Sequence, residues 1–136
     1  MLMQKMRIFP TLSTPDILLD PDGIIKIEGR SMNANIKEFS ETIDNWVDKY
    51  LADPAEITKV DLYFEYLSTN NLIFYRSLLL KISMVLLKRK KYVINWIYDE
   101  GDIDIMEKGE NISSSVGVDV NFIMIEDSFF NGVSLN

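Results

Sequence analysis

The stretch 57–98 constrains the fold more tightly than any other part of the chain. Within 57–67, Val60, Leu62, Phe64 and Tyr66 alternate with Asp61, Tyr63 and Glu65. A period of two is the pattern of a strand with one buried face. Residues 72–87 are then apolar on most sides, interrupted by Arg76, Ser77, Lys81 and Ser83. That pattern predicts a helix that packs on the sheet and meets other elements as well. Residues 92–98, Tyr-Val-Ile-Asn-Trp-Ile-Tyr, predict a further strand. Strand, helix and strand in that order make a β-α-β unit. Its strands run parallel and its crossover is right-handed, because a twisted strand feeding a right-handed helix returns to the sheet that way.

The flanks add to this unit. Residues 8–12 predict a short edge strand, broken by Thr14-Pro15. Residues 16–20 and 24–29 predict a hairpin around Pro21-Asp22-Gly23, where proline presets the turn and glycine supplies positive φ. In 36–51, Ile36, Phe39, Ile43, Trp46, Val47 and Tyr50 recur at three and four residues, so a helix is expected with one apolar face. Asn35 is the expected N-cap, with Glu38 as capping-box partner, and Asp53-Pro54 ends the helix. The acidic run 99–110 predicts a short helix, 111–117 a serine-rich loop and 120–126 the last strand. The sum is an α/β fold: a single mixed sheet of about five or six strands with two main helices packed on it. One domain is expected over 1–127, with a tail at 128–136 whose Phe129-Phe130 pair is either loose or docked.

The chain has 136 residues and is 47% hydrophobic, enough for one sizeable core and too apolar for wholesale disorder. Trp46 and Trp96 are therefore read as core residues. The chain contains no histidine and no cysteine, which excludes thiol nucleophiles, histidine-based triads and zinc sites of the Cys/His kind. A net charge of −7 disfavours binding to a phosphate backbone. The basic run Lys88–Lys91 reads as a helix end, where cations oppose the dipole favourably. Asp99, Asp102 and Asp104 lie close together, but the acidic run lacks the spacing of a calcium loop, and no metal is expected. No apolar run of signal-peptide length follows Met1 to Arg7, and 72–87 is shorter than a bilayer span, so cytoplasm is the expected compartment.

The candidate site is the turn Ser68-Thr69-Asn70-Asn71, between the predicted strand and the long helix. A helix start leaves backbone N–H groups unpaired, which suits a cap, an anion or a phosphorylation site. Thr69 is read either as an N-cap or as a phosphoacceptor. Ser68 is the cap or a second acceptor. Asn70 and Asn71 favour a turn and form cap or partner surface. Arg30 is a structural ion pair or a partner anchor.

Several stretches together resemble the SiaC family of bacterial biofilm-regulatory phosphoproteins. They are Thr14-Pro15-Asp16-Ile17 with Asp20 and Gly23, Ile27-Glu28-Gly29-Arg30-Ser31, Asn35, Trp46 with Tyr50, Phe64-Glu65-Tyr66-Leu67-Ser68-Thr69, Asn95-Trp96-Ile97-Tyr98 and Glu107-Lys108-Gly109-Glu110. The resemblance implies a STAS-like fold, similar to anti-sigma-factor antagonists. It also implies a non-enzymatic adaptor without cofactors, phosphorylated on Thr69 by a Ser/Thr protein kinase and reset by a PP2C-type phosphatase. In such proteins the unphosphorylated form binds and activates a diguanylate cyclase in c-di-GMP signalling. Around Thr69 the chain differs from the family pattern: Ser68 replaces an asparagine, Asn70-Asn71 a serine pair and Ile73 a basic residue. A constitutive interaction module without phosphorylation is the alternative, and a carboxylate- or metal-dependent enzyme is the weakest reading.

Overall fold

The computed structural model describes residues 3–126. Its strands are β1 (Met6–Ile8), β2 (Asp16–Asp20), β3 (Ile24–Ser31), β4 (Ile57–Leu67), β5 (Lys91–Asp99) and β6 (Asn121–Ile125). They lie side by side in chain order in one sheet. The β1–β2 and β2–β3 pairs are antiparallel. From β3 to β6 every pair is parallel. The connecting helices are α1 (Ile36–Ala52), α2 (Thr69–Ile82), continued by a 3-10 segment (Ser83–Lys88), and α3 (Ile103–Val116). Each crossover steps one strand in the same direction, so a common right hand places all three helices on one face.

That face holds the core. Ile17, Leu19, Ile25, Ile27, Val60, Leu62, Phe64, Ile94 and Trp96 from the strands meet Ile43, Val47, Tyr75, Leu79 and Ile112 from the helices. Trp46 and Trp96 are both buried, as expected. Each indole N–H has a carbonyl to donate to, that of Gln4 at 3.1 Å and that of Ile105 at 2.8 Å. On the opposite face the register aligns Leu18, Lys26, Asp61, Asn95 and Asn121. There the Asn95 amide donates to Asp61 at 2.8 Å, and that of Asn121 donates to Asn95 at 3.2 Å.

The expected hairpin forms around Gly23, whose φ is +103° and whose missing Cβ would run into the Ile57 carbonyl. Other expectations are corrected. The first strand ends at Ile8 and does not run through 8–12. Pro10 has no N–H to give a ladder. Asn35 precedes α1, but its side chain makes no cap bond. Its own N–H instead donates to the Asn33 side chain at 3.0 Å, so the polar turn is built one step earlier. The serine-rich stretch 111–117 is not a loop; it is the second half of a third helix, α3. There Ser114 and Ser115 donate back to carbonyls of the preceding turn and Ile112 reaches the core. Gly117 ends the helix in the left-handed region.

The long helix also runs further than its expected 72–87. Thr69–Lys88 spans 20 residues at a mean hydropathy of 1.2, long and apolar enough by those measures to cross a membrane. Leu72, Phe74, Tyr75, Leu78, Leu79 and Ile82 of α2 are buried in the core. The segment 128–136 and its Phe129-Phe130 pair lie outside the described residues.

Candidate functional site

Strand β4 delivers the Ser68-Thr69-Asn70-Asn71 turn to the C-terminal edge of the parallel strands. Ser68 is the N-cap, with extended φ and ψ, and its Oγ accepts from the Asn71 N–H at 3.2 Å. The capping reading of Thr69 is thereby corrected by one residue. Thr69 is the first helical residue; it is exposed, and its hydroxyl is not used by the cap. Asn70 is exposed beside it. Replacing Ser68 with alanine is expected to cost ~1 kcal/mol in urea unfolding while leaving Thr69 in place.

The reading of Asn71 as partner surface is corrected, because its side chain is buried and tied into the fold. Asn71 is 1% exposed. Its Oδ1 accepts from the Ser31 hydroxyl at 2.9 Å and from the Asn33 N–H at 3.2 Å. Its Nδ2 donates to the Asn33 carbonyl at 3.0 Å. Because Ser31 spends its proton on Asn71, the Tyr75 hydroxyl is the donor in the 2.8 Å contact between Tyr75 and Ser31. Burial pushes the Tyr75 phenol far above its ordinary pKa, against a smaller opposing effect of the Ser31 hydrogen bond, so it stays protonated. The Ser68 N–H donates to the Ser31 carbonyl at 2.9 Å. The start of α2 is thus fastened to the segment joining β3 and α1.

Lys108 reaches the same edge from α3. Its ammonium donates to the Leu67 carbonyl at 2.5 Å and to Asp104 at 2.8 Å, and lies 5.7 Å from the Tyr66 ring centroid. Arg30 is ion-paired with Glu65, and with Met32 and Tyr66 these two line a shallow cavity. Met32, Tyr66 and Ile73 leave apolar surface exposed around the turn. The three aspartates weighed for chemistry each serve the fold: Asp99 accepts from Tyr63, Asp102 caps α3 and Asp104 pairs with Lys108. Tyr75 was not singled out from the sequence, and Ser31 and Lys108 entered only within the resembling stretches, with no role given to either. The available signal was Asn71 itself, four residues before Tyr75 on a helix stripe that is otherwise apolar.

Thr69 thus presents an exposed hydroxyl on a helix start fastened by hydrogen bonds, with the apolar side chains of Tyr66 and Ile73 beside it in sequence. The chain belongs to the SiaC family of regulatory phosphoproteins, whose family model matches residues 8–125. It is similar to the crystal structure of apo-SiaC from Pseudomonas aeruginosa, with 22% identity and a TM-score of 0.74, over 91% of this chain and 100% of that one. A second SiaC structure from Pseudomonas aeruginosa gives 25% identity and a TM-score of 0.73, over 91% and 98%. A third similar chain comes from the crystal structure of the diguanylate cyclase SiaD in complex with its activator SiaC from Pseudomonas aeruginosa. There the identity is 23% and the TM-score 0.80, over 88% of this chain and 99% of that one. A comparison with curated proteins gave no match. The implied STAS-like architecture is compatible with the six-stranded mixed sheet.

Proposed function

We propose that this chain is a cytoplasmic, non-enzymatic adaptor, acting through one domain over 1–127, in which reversible phosphorylation of Thr69 controls a diguanylate cyclase. A Ser/Thr protein kinase adds the phosphate and a PP2C-type phosphatase removes it. The observation that carries the reading is the position of Thr69: exposed, first in α2, and free of the capping bond that Ser68 makes. Membership of a regulatory phosphoprotein family supports it. So does the description of a similar protein as the activator of a cyclase.

The physics of the switch has two opposed parts. A phosphate adds about −1.5 to −2 charges and three strong acceptors. Within the domain, the unpaired N–H groups of the first turn and the helix dipole favour it, and Lys108 stands nearby. At a partner surface fitted to a neutral hydroxyl and to Met32, Tyr66 and Ile73, it brings desolvation cost and loss of fit. Phosphorylation is therefore expected to leave the domain's thermal midpoint nearly unchanged while removing the complex.

The test is to incubate the protein with ATP and candidate Ser/Thr protein kinases of the same organism, then locate the phosphate by intact-mass and fragment analysis. One phosphate on Thr69, absent from Thr69→Ala, is the expected result. Incorporation at Ser68 instead, or none at all, contradicts the assignment.

A further inference from the structure

A switch confined to Thr69 leaves the outward face of α2 unexplained. Ile73, Leu80, Met84 and Leu87 are between 47% and 79% exposed. With exposed Ser77 they recur at four, three, four and three residues, the spacing of a helix–helix seam. The inward side of the same helix is closed, since Leu78, Leu79, Ile82 and Val85 are buried. The stripe is therefore a second apolar face and not a gap in the core. A separate feature lies at its end. Arg89 is the only non-glycine residue with positive φ among the described residues, at 59°. It closes the 3-10 segment by donating its N–H to the Leu86 and Val85 carbonyls, a position that favours glycine or asparagine. Its guanidinium makes no hydrogen bond or ion pair among the described residues.

We propose that this stripe pairs antiparallel with the same stripe of a second copy, and that phosphate on Thr69 of one copy is held by Arg89 of the other. The proposal rests on Thr69 being the phosphoacceptor. Its geometry centres on Leu80. Thr69 lies about 16 Å from Leu80 along the axis in one direction and Arg89 about 16 Å in the other, at ~1.5 Å per α-helical and ~2.0 Å per 3-10 residue. Antiparallel pairing about Leu80 also brings Ile73 within about 2.5 Å of the level of Leu87, and small Ser77 within about 2.5 Å of the level of large Met84, so that the two rows interdigitate. Charge decides when pairing occurs. Without phosphate, the positive end of the α2 dipole would face a basic turn containing Lys88, Arg89 and Lys91, which opposes association. With phosphate, that repulsion becomes two symmetric phosphate–guanidinium contacts, each capable of bidentate hydrogen bonding. The same pairing covers Thr69 and Ile73. Phosphorylation would then withdraw the partner surface by burying it, in addition to charging it.

Sedimentation velocity on the full chain tests this, with phosphothreonine installed at position 69 during translation so that no kinase is needed. The phosphorylated chain is expected to dimerise with a Kd at least about tenfold below that of the unmodified chain, and to weaken as salt rises. Arg89→Gly, which relieves the backbone and removes the cation, is expected to fold as well as the parent and lose the phosphate-dependent tightening. Leu80→Asp is expected to abolish pairing in either state. A phosphorylated chain that stays monomeric, or a dimer that survives both substitutions, overturns the proposal. So does binding of the unmodified chain to vesicles of anionic phospholipid that Leu80→Asp abolishes, without any self-pairing; the stripe would then be a membrane-facing surface. A kinase that fails to modify Thr69 would defeat the switch reading, whereas pairing is read here on phosphate already in place, so the two failures are distinct.

Discussion

Asn71→Leu is expected to lower the unfolding free energy by ~3 kcal/mol, although leucine is close in size and the site is apolar on most sides. Three hydrogen bonds end on the Asn71 amide: from Ser31, from the Asn33 N–H, and to the Asn33 carbonyl. Leucine takes the partner from the Asn33 N–H and carbonyl and leaves the Ser31 hydroxyl only its contact with Tyr75, at a position that is 1% exposed. Orphaned buried polar groups cost roughly 1–3 kcal/mol each, partly recovered where the segment relaxes toward water. The expected relaxation is local, in residues 31–35 and the first turn of α2. Amide exchange should therefore quicken there before it does in β4 or β5. Asn70→Leu is the control, since Asn70 is exposed and makes no such network, and a change within ~0.5 kcal/mol is expected. Equal stability of the two variants in urea would show that the Asn71 network does not hold the site together.

Gly109→Ala is expected to destabilise by ~2 kcal/mol, opposite in sign to the usual effect of that change in a helix. In an exposed helix interior alanine gains about 1 kcal/mol over glycine. Here the added Cβ would stand 2.5 Å from Trp96 Nε1, 2.6 Å from Cδ1 and 2.7 Å from Cε2. The indole cannot easily retreat. It is 1% exposed, packs 5.6 Å from the Phe64 ring centroid and donates to the Ile105 carbonyl at 2.8 Å. Either α3 moves off the sheet or the indole gives up its hydrogen bond, and overpacking of this kind costs roughly 1–3 kcal/mol. Pairing Gly109→Ala with Trp96→Phe should cost less than the two singly, because each relieves the other. An unchanged or raised unfolding midpoint for Gly109→Ala alone would refute the close approach. Displacing α3 also moves Lys108, one residue away, from the Leu67 carbonyl.

What could be read from the sequence was governed by local chemistry. The Pro21-Asp22-Gly23 turn, the β-α-β unit and the apolar face of α1 are set by neighbours a few residues apart, and each forms as expected. The run 111–117 misled because serine propensity favours a loop, while Ile112 and Gly109 draw the segment onto Trp96 and the core as helix. The cap was displaced by one residue because its place depends on where β4 stops. Leu67 is still buried and Ser68 turns the chain. The ties of Asn71 to Ser31 and Asn33 cross some 40 positions of sequence, and nothing local encodes them. Thr69 itself was legible as a hydroxyl at a strand-to-helix turn. That its hydroxyl is spared from capping was not.

A phosphate on Thr69 is expected to disconnect the protein from a cyclase without unfolding it. The most direct measurement titrates unmodified and Thr69-phosphorylated protein, matched in thermal midpoint, against a diguanylate cyclase of the same organism, reading c-di-GMP production. Activation by the unmodified form, with a loss of at least about 100-fold in apparent affinity on phosphorylation, or ~2.7 kcal/mol, is the expected result. Equal activation by both forms would contradict the switch.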